Sequence, residues 1–230
     1  MLITQHPTSD WLSAYTAGTL GLGQSLCVAA HLDFCRQCRQ NMARLNQLGG
    51  ELMQDLTPRP SANLSLDKLM ARIEAMPALQ PPPEPQQTNA KAAVAPAAKG
   101  VPRSLRKLIP EGYQKLKWSR ISPSIRMAEL CRDNNGFKVE LLRIKPGGAS
   151  PTHSHLGDEL TMILQGSFSD EAGVYHTGDF MACDQRHTHT PVASLDRECI
   201  CLTVTQAPIQ LTGFFGRWLN PLLRRGYPVS

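Results

Sequence analysis

The opening residues, "MLITQHPTSDW", have no basic start leading into an apolar run, so no signal peptide is expected. Nowhere does the chain approach the roughly 20 consecutive apolar residues of a membrane span, so no membrane association is expected either. Both absences point to the cytoplasm, a reducing compartment. There an odd count of seven cysteines argues against a disulfide framework. Two of them form a C-x-x-C and two a C-x-C, arrangements that suggest metal binding or redox chemistry instead. A surplus of charge is also missing where it would matter. The formal net charge is +5, yet residues 1–76 hold six Lys/Arg against six Asp/Glu. With no recognition-helix signature, direct nucleic-acid binding is not expected. The one locally basic stretch, "RSLRKLIPEGYQKLKWSR" at 103–120, reads as a solvated strand surface, with a compact anion-binding face as the alternative.

Residues 77–104 contain no aromatic side chain but seven prolines and seven alanines, a composition that forms no packed core and reads as a partly extended linker. The chain therefore divides into residues 1–80, a Pro/Ala-rich linker at 81–104, and residues 105–230. Helical periodicity governs the first part. Thr8 or Ser9 caps a short helix that Gly18 stops, and a longer one is expected from Gln24 to Leu48, ended by Gly49-Gly50. Ser65 opens a third, with Leu66, Leu69, Met70, Ile73 and Met76 on one stripe. That stripe either packs on the other helices or, being rich in adaptable methionine, meets a partner.

Beyond the linker, short alternating or apolar runs such as "FKVELLRI", "ELTMIL", "GDFMAC" and "CICLTVT" lie between Gly, Pro, Asn and Asp, which predicts an antiparallel β-sandwich or barrel. The closing "GFFGRWLNPLLRR" places Phe214, Phe215, Trp218, Leu219 and Leu222 on an amphipathic turn that covers an open edge, or else lies on a membrane surface. The fold class is multidomain α plus β.

His31, Cys35 and Cys38 fall at i, i+4 and i+7 and would share one face of the long helix. Zinc takes four N/S ligands in a tetrahedron, so the fourth must come from elsewhere. His6, the other histidine of this region, is the favoured donor; Cys27, one turn before His31, competes. H-x3-C-x2-C with an upstream histidine in a small helical segment resembles the zinc-binding anti-sigma domain, over about residues 1–80. The resemblance implies that His6, His31, Cys35 and Cys38 hold a structural zinc. It also implies that the Ser65–Met76 helix lies against an extracytoplasmic-function sigma factor.

A second cluster is G-x5-H-x-H-x3-E-x6-G: Gly147, His153, His155, Glu159 and Gly166. Two histidines spaced by two share one face of a strand, and Glu159 follows after a turn. This pattern resembles the first motif of the cupin family, which it matches in full. The second motif begins at Gly178-Asp179 and puts its histidine at His189, although Asp184, Arg186 and Ala193 stand where the family has proline, glycine and asparagine. His187 also points inward if the strand starts there. Three histidines and a glutamate suit zinc, manganese, iron or nickel, and residue identity does not choose among them, with zinc the first expectation. Cys183, Cys199 and Cys201 are either redox-active thiols or small buried hydrophobes, and His176 reads as a strand-end residue.

Anti-sigma domain, proline-rich linker and cupin together resemble the ChrR-type cupin anti-sigma factors. That implies a regulator, with no catalytic residues assigned, that holds an extracytoplasmic-function (RpoE-like) sigma factor one-to-one. It would release the sigma factor when the cupin meets singlet oxygen, organic hydroperoxide or another small-molecule signal. The competing reading is a metal-dependent cupin enzyme, a dioxygenase or thiol oxidase, without a sigma partner.

Overall fold

Thr8 has extended backbone (φ −62°, ψ 166°) and its carbonyl accepts the Leu12 N–H, which starts α1 (Ser9–Thr16); Gly18, in the left-handed region at φ +68°, ends it. The computed structural model describes residues 3–57, 65–76, 100–212, 218 and 220–223. Helix α2 (Leu22–Phe34) opens on Gly21, whose N–H donates to the Gln24 side chain. Helix α3 (Arg36–Gln54) follows after one residue. The single helix expected from Gln24 to Leu48 is thus two. Cys35 is extended (φ −95°, ψ 109°), the Arg39 guanidinium takes up the Leu32 carbonyl at 2.6 Å, and the Cys35 Sγ accepts the Cys38 N–H at 3.4 Å. The break caps one helix and starts the next. Nor do Gly49 and Gly50 stop α3, which runs on to Gln54. Two glycines cost a helix only about 1 kcal/mol each relative to alanine.

Twelve strands follow among the described residues: β1 (Ser119–Arg120), β2 (Ile125–Arg132), β3 (Lys138–Ile144), β4 (His153–His155), β5 (Glu159–Gln165), β6 (Ser167–Asp170), β7 (Gly173–His176), β8 (Phe180–Cys183), β9 (Thr188–His189), β10 (Val192–Ala193), β11 (Cys199–Thr205) and β12 (Ile209–Leu211). All described pairings are antiparallel, in a six-stranded sheet of order β1-β2-β3-β11-β5-β8 and two three-stranded sheets, β10-β6-β7 and β12-β4-β9. The basic segment at 103–120 is mostly not strand. It makes 3-10 turns at Arg103–Leu105 and Tyr113–Lys115 that bury Leu105, Ile109 and Tyr113 and leave its six basic side chains exposed.

Alternation divides the large sheet into two apolar faces. Ile144, Ile163, Cys199 and Cys201 point inward to Phe168 and Tyr175, whereas Val139, Leu141, Leu160, Met162, Leu202 and Val204 point outward into a cluster with Leu12, Cys27, Val28 and Leu32 of α1 and α2. Helices on the outer face explain why "CICLTVT" is buried at every position. Gly23 lets α2 come this close: a Cβ there would lie 2.9 Å from Val204 and 3.2 Å from Val139. Asp133, which caps the β2–β3 hairpin through the N–H groups of Asn135 and Phe137, also accepts the Gly23 N–H at the start of α2.

Residues up to Asn46 and from Ala97 onward accordingly form one compact unit, in which the first helices and the barrel share a core across the linker suggested by composition. Ser104, at the end of that linker, donates its N–H and hydroxyl to Asp33, both at 2.9 Å. The second unit, Gln47–Pro96, contains the last turns of α3 and α4 (Leu66–Glu74), where the stripe predicted a helix. Most of the linker, residues 77–99, lies outside the described residues, as do Phe214, Phe215 and Leu219. Of the C-terminal turn, α5 (Asn220–Leu223) is held to β12 by Asn220, which exchanges hydrogen bonds with both the N–H and the carbonyl of Leu211.

Candidate metal centres

The helix break at Cys35 turns Cys35 and Cys38 toward His31, and residues 4–6 arrive along the barrel to complete the group. The Nδ1 of His6 lies 3.4 Å from the Cys35 Sγ and 3.5 Å from the Cys38 Sγ. His31, fully buried, donates its Nδ1–H to the Gly178 carbonyl at 2.8 Å. That fixes its tautomer and leaves Nε2 as a buried lone pair with no hydrogen-bond partner. The four donor atoms lie within 4.8 Å of one another. Zinc bond lengths of about 2.05 Å to nitrogen and 2.3 Å to sulfur give a tetrahedral N–S edge of about 3.5 Å. The donor set, the spacing and the orphaned Nε2 all fit zinc.

The protonation states agree. Burial first of all lowers His31 to about 4, so the ring is neutral near pH 7. Burial, then the hydrogen bond with Cys35, pushes the Cys38 thiol up to about 12, so metal binding must displace its proton. Cys27 does not join the group. It sits in the core among Val28 and Ala30, its thiol pushed up by burial and then by the charge of Glu159.

The second group lies inside the barrel. His153 and His155 are both buried on β4, and the register sets His189 of β9 opposite His153. Each Nδ1 faces an acceptor: the Pro151 carbonyl at 2.8 Å from His153, Glu159 at 3.3 Å from His155, and Asp170 at 3.0 Å from His189. Each Nε2 is thereby left as an acceptor. These nitrogens converge, at 3.1 Å between His189 and His153 and 3.3 Å between His155 and His189. Lone pairs facing one another at that distance repel unless a cation lies between them. A tetrahedral ion at about 2.05 Å sets an N–N edge of about 3.3 Å.

Glu159 borders the cavity of about 90 Å³ that His153 and His189 also line, but in this structure its carboxylate is spent on His155 and on the Thr161 hydroxyl. Burial alone would raise its pKa. The hydrogen bond from His155, the nearby histidines and Thr161 outweigh that and hold it below the usual carboxylate range. The rest of the cavity wall is largely apolar, with Leu142, Phe168 and Ile209.

His187 does not point inward. It is exposed and bonded to Asp184, because residues 184–187 form a turn in which Asp184 also binds the Arg186 guanidinium and N–H. Ala193, in place of the family's asparagine, is buried, and His176 ends β7 exposed. Cys199 and Cys201 lie 3.5 Å apart, both buried. The Cys201 thiol is raised by its bond to Cys199 and by burial, and Cys183 is raised to about 12 by burial and then by Glu159. None of this favours a thiolate. The motifs did not reveal Asp170, which holds His189, and they located Asp179 without its role. Asp179, fully buried, accepts the N–H groups of Thr4 and Gln5 at 2.7 and 3.0 Å and that of His176 at 2.7 Å.

Residues 112–208 match the family model described as the ChrR cupin-like domain. Over 224 residues, 97% of this chain and 100% of the relative, the chain is 35% identical to the anti-sigma-E factor ChrR of Cereibacter sphaeroides. Among solved structures it is similar to ChrR in the crystal structure of Rhodobacter sphaeroides SigE in complex with the anti-sigma ChrR, with a TM-score of 0.72, 33% identity, and coverage of 89% of this chain and 100% of that one. That similarity spans almost the whole chain, and the chain belongs to the ChrR family of cupin-type anti-sigma factors.

Proposed function

We propose that this chain binds one extracytoplasmic-function sigma factor in the cytoplasm, one-to-one, and keeps it from RNA polymerase until an oxidative signal reaches the barrel. The observation that carries the reading is α4. Leu66, Leu69, Met70 and Ile73, with Met76 just beyond, lie on one stripe and all are exposed, and no residue of the helix is buried. An apolar stripe left open among the described residues is the kind of surface that a partner covers. The relative solved with SigE supplies the kind of partner.

In this reading residues 1–80 do the holding, residues 81–104 are the linker and residues 105–230 the sensor. His6, His31, Cys35 and Cys38 take zinc as a structural ligand set, tying residue 6 to α2 and α3. Four protein donors leave no position for a substrate. His153, His155 and His189, with Glu159 as the nearby carboxylate, take a second divalent metal, zinc first among those the donors suit. A metal held there would supply Lewis-acid chemistry beside the small cavity, while His155 donates to Glu159 next to it and the apolar wall limits water. Singlet oxygen, an organic hydroperoxide or a product of either is the signal class this site is proposed to meet.

Co-expression with extracytoplasmic-function sigma factors tests the reading: a stable one-to-one complex is expected, and no complex with any of them refutes it. The cavity beside the three histidines favours one other reading, a cupin enzyme. Metal-dependent turnover of a small substrate by the full chain, with no sigma factor bound, would establish that instead.

A further inference from the structure

We infer that Gly178 and Asp179 of the barrel are positioning residues of the N-terminal metal site, so that the grip on that metal is set by the barrel as well as by the helices. The inference rests on zinc binding at His6, His31, Cys35 and Cys38, and adds where two of those four donors get their orientation.

His31 owes its tautomer to one acceptor, the Gly178 carbonyl. Gly178 has φ +100°, a conformation that favours glycine, and a Cβ there would also lie 2.7 Å from the Ile3 side chain of the N-terminal segment. His6 is placed by the next residue. One oxygen of Asp179 holds the N–H groups of Thr4 and Gln5, the other holds that of His176, and the Gln5 carbonyl accepts the Phe180 N–H. The Phe180 ring meets His31 edge-on at 6.1 Å. Three consecutive barrel residues thus fix both histidine ligands. Partners of this kind typically change metal affinity 10- to 100-fold when removed.

The same stretch leads to the other metal group. Beyond Phe180, β8 pairs with β5 so that Cys183 stands opposite Glu159, and after the 184–187 turn the chain reaches His189. Residues 178–189 therefore carry second-layer support for one group at one end and a histidine of the other group at the other end. The two sites are linked by one short stretch of chain, β8, the 184–187 turn and β9, that does not involve residues 81–104. A shift of β8 driven from the barrel site would act on the Gly178 carbonyl and the Asp179 carboxylate.

The test loads the full chain with cobalt(II), whose thiolate charge-transfer absorption reports the cysteine-containing site and is absent from the histidine site. Affinity and release are then measured against a chelator for the unaltered chain, Asp179→Asn and Thr4→Pro. Thr4→Pro removes the Thr4 N–H and hydroxyl from the Asp179 carboxylate and leaves every barrel residue in place, so it decides the matter if Asp179→Asn fails to fold. Expected are 10- to 100-fold weaker binding and faster release at the thiolate site in both variants, with histidine-site affinity unchanged in Thr4→Pro. Unaltered affinity and release at the thiolate site in folded Thr4→Pro overturn the inference. Absence of a thiolate band in the unaltered chain would instead overturn the metal assignment on which it rests.

Discussion

Replacing Gly23 by alanine tests whether α2 lies on the outer face of the sheet. The added Cβ would meet Val204 Cγ1 at 2.9 Å and Val139 Cγ2 at 3.2 Å, both on fully buried side chains. Val204 cannot retreat, because β11 is paired along its length to β3 on one side and β5 on the other. Ordinary contact begins at about 3.5 Å, so the helix must lift by about 0.6 Å. That stretches the Gly23 N–H bond to the Asp133 carboxylate, already 3.2 Å long. Overpacking costs about 1–3 kcal/mol, a weakened bond to a charged group adds about 1–2, and the helix preference of alanine returns up to about 1. The net loss is about 1–5 kcal/mol, centred near 3. It is read as a lower midpoint in denaturant with tryptophan emission as the probe, since Trp11 of α1 packs edge-on against Phe180 of the barrel at 6.4 Å. Gly49→Ala is the control. A Cβ there meets nothing within 4 Å, so the same substitution should stabilise α3 by about 0.5–1 kcal/mol. If Gly23→Ala left the midpoint and the Trp11 emission unchanged, the helices would not share a core with the barrel, and the reasoning fails.

Asp170→Ala should weaken metal binding by the histidine group about 10- to 100-fold in chelator competition, because His189 loses the acceptor that orients it. Glu140 is buried with Oε1 lacking a hydrogen bond, the Lys138 ammonium lying 3.8 Å away, and burial, first of all, raises its pKa above 4.5. The folded state therefore favours the protonated acid, a contribution present below pH 4.5 and lost as pH rises through the higher folded value. The stability of Glu140→Gln relative to the unaltered chain should accordingly grow as pH rises from 4.5, and a flat difference in denaturant titrations at several pH values would contradict this. Ile73→Asp on α4 should cost sigma binding at least about 2 kcal/mol, roughly 30-fold, with no change in unfolding, since Ile73 is 53% exposed.

The histidine pair on β4 was legible because residues two apart on a strand must share a face, whereas His189 followed only from the resemblance to the second cupin motif, and its place opposite His153 is set by strand register. The strand period fails at His187, because Asp184 gathers Arg186 and His187 into a turn. Nothing in the periodicity of residues 24–48 marks the break at Cys35. Phe34, Met42 and Leu45 keep helical spacing across it, and what interrupts the helix is a side chain four residues on, Arg39, together with the Cys35 thiol. The uninterrupted apolar run "CICLTVT" did contain a signal that both faces of β11 are covered. That the cover is α2 depends on Gly23 and Asp133, whose meeting joins residues 110 positions apart. The tie between Asp179 and the N-terminal segment spans 175 positions and is hidden for the same reason.

The central claim is that a zinc-held helical segment keeps a sigma factor bound. It is tested most directly by measuring the affinity of the full chain for its extracytoplasmic-function sigma factor at a series of free zinc concentrations, beside Cys35→Ser. The account predicts a tight one-to-one complex that weakens as zinc is withdrawn from the unaltered chain and is weak at every zinc concentration for Cys35→Ser. A complex of the same affinity with and without zinc, or undiminished by Cys35→Ser, would contradict it.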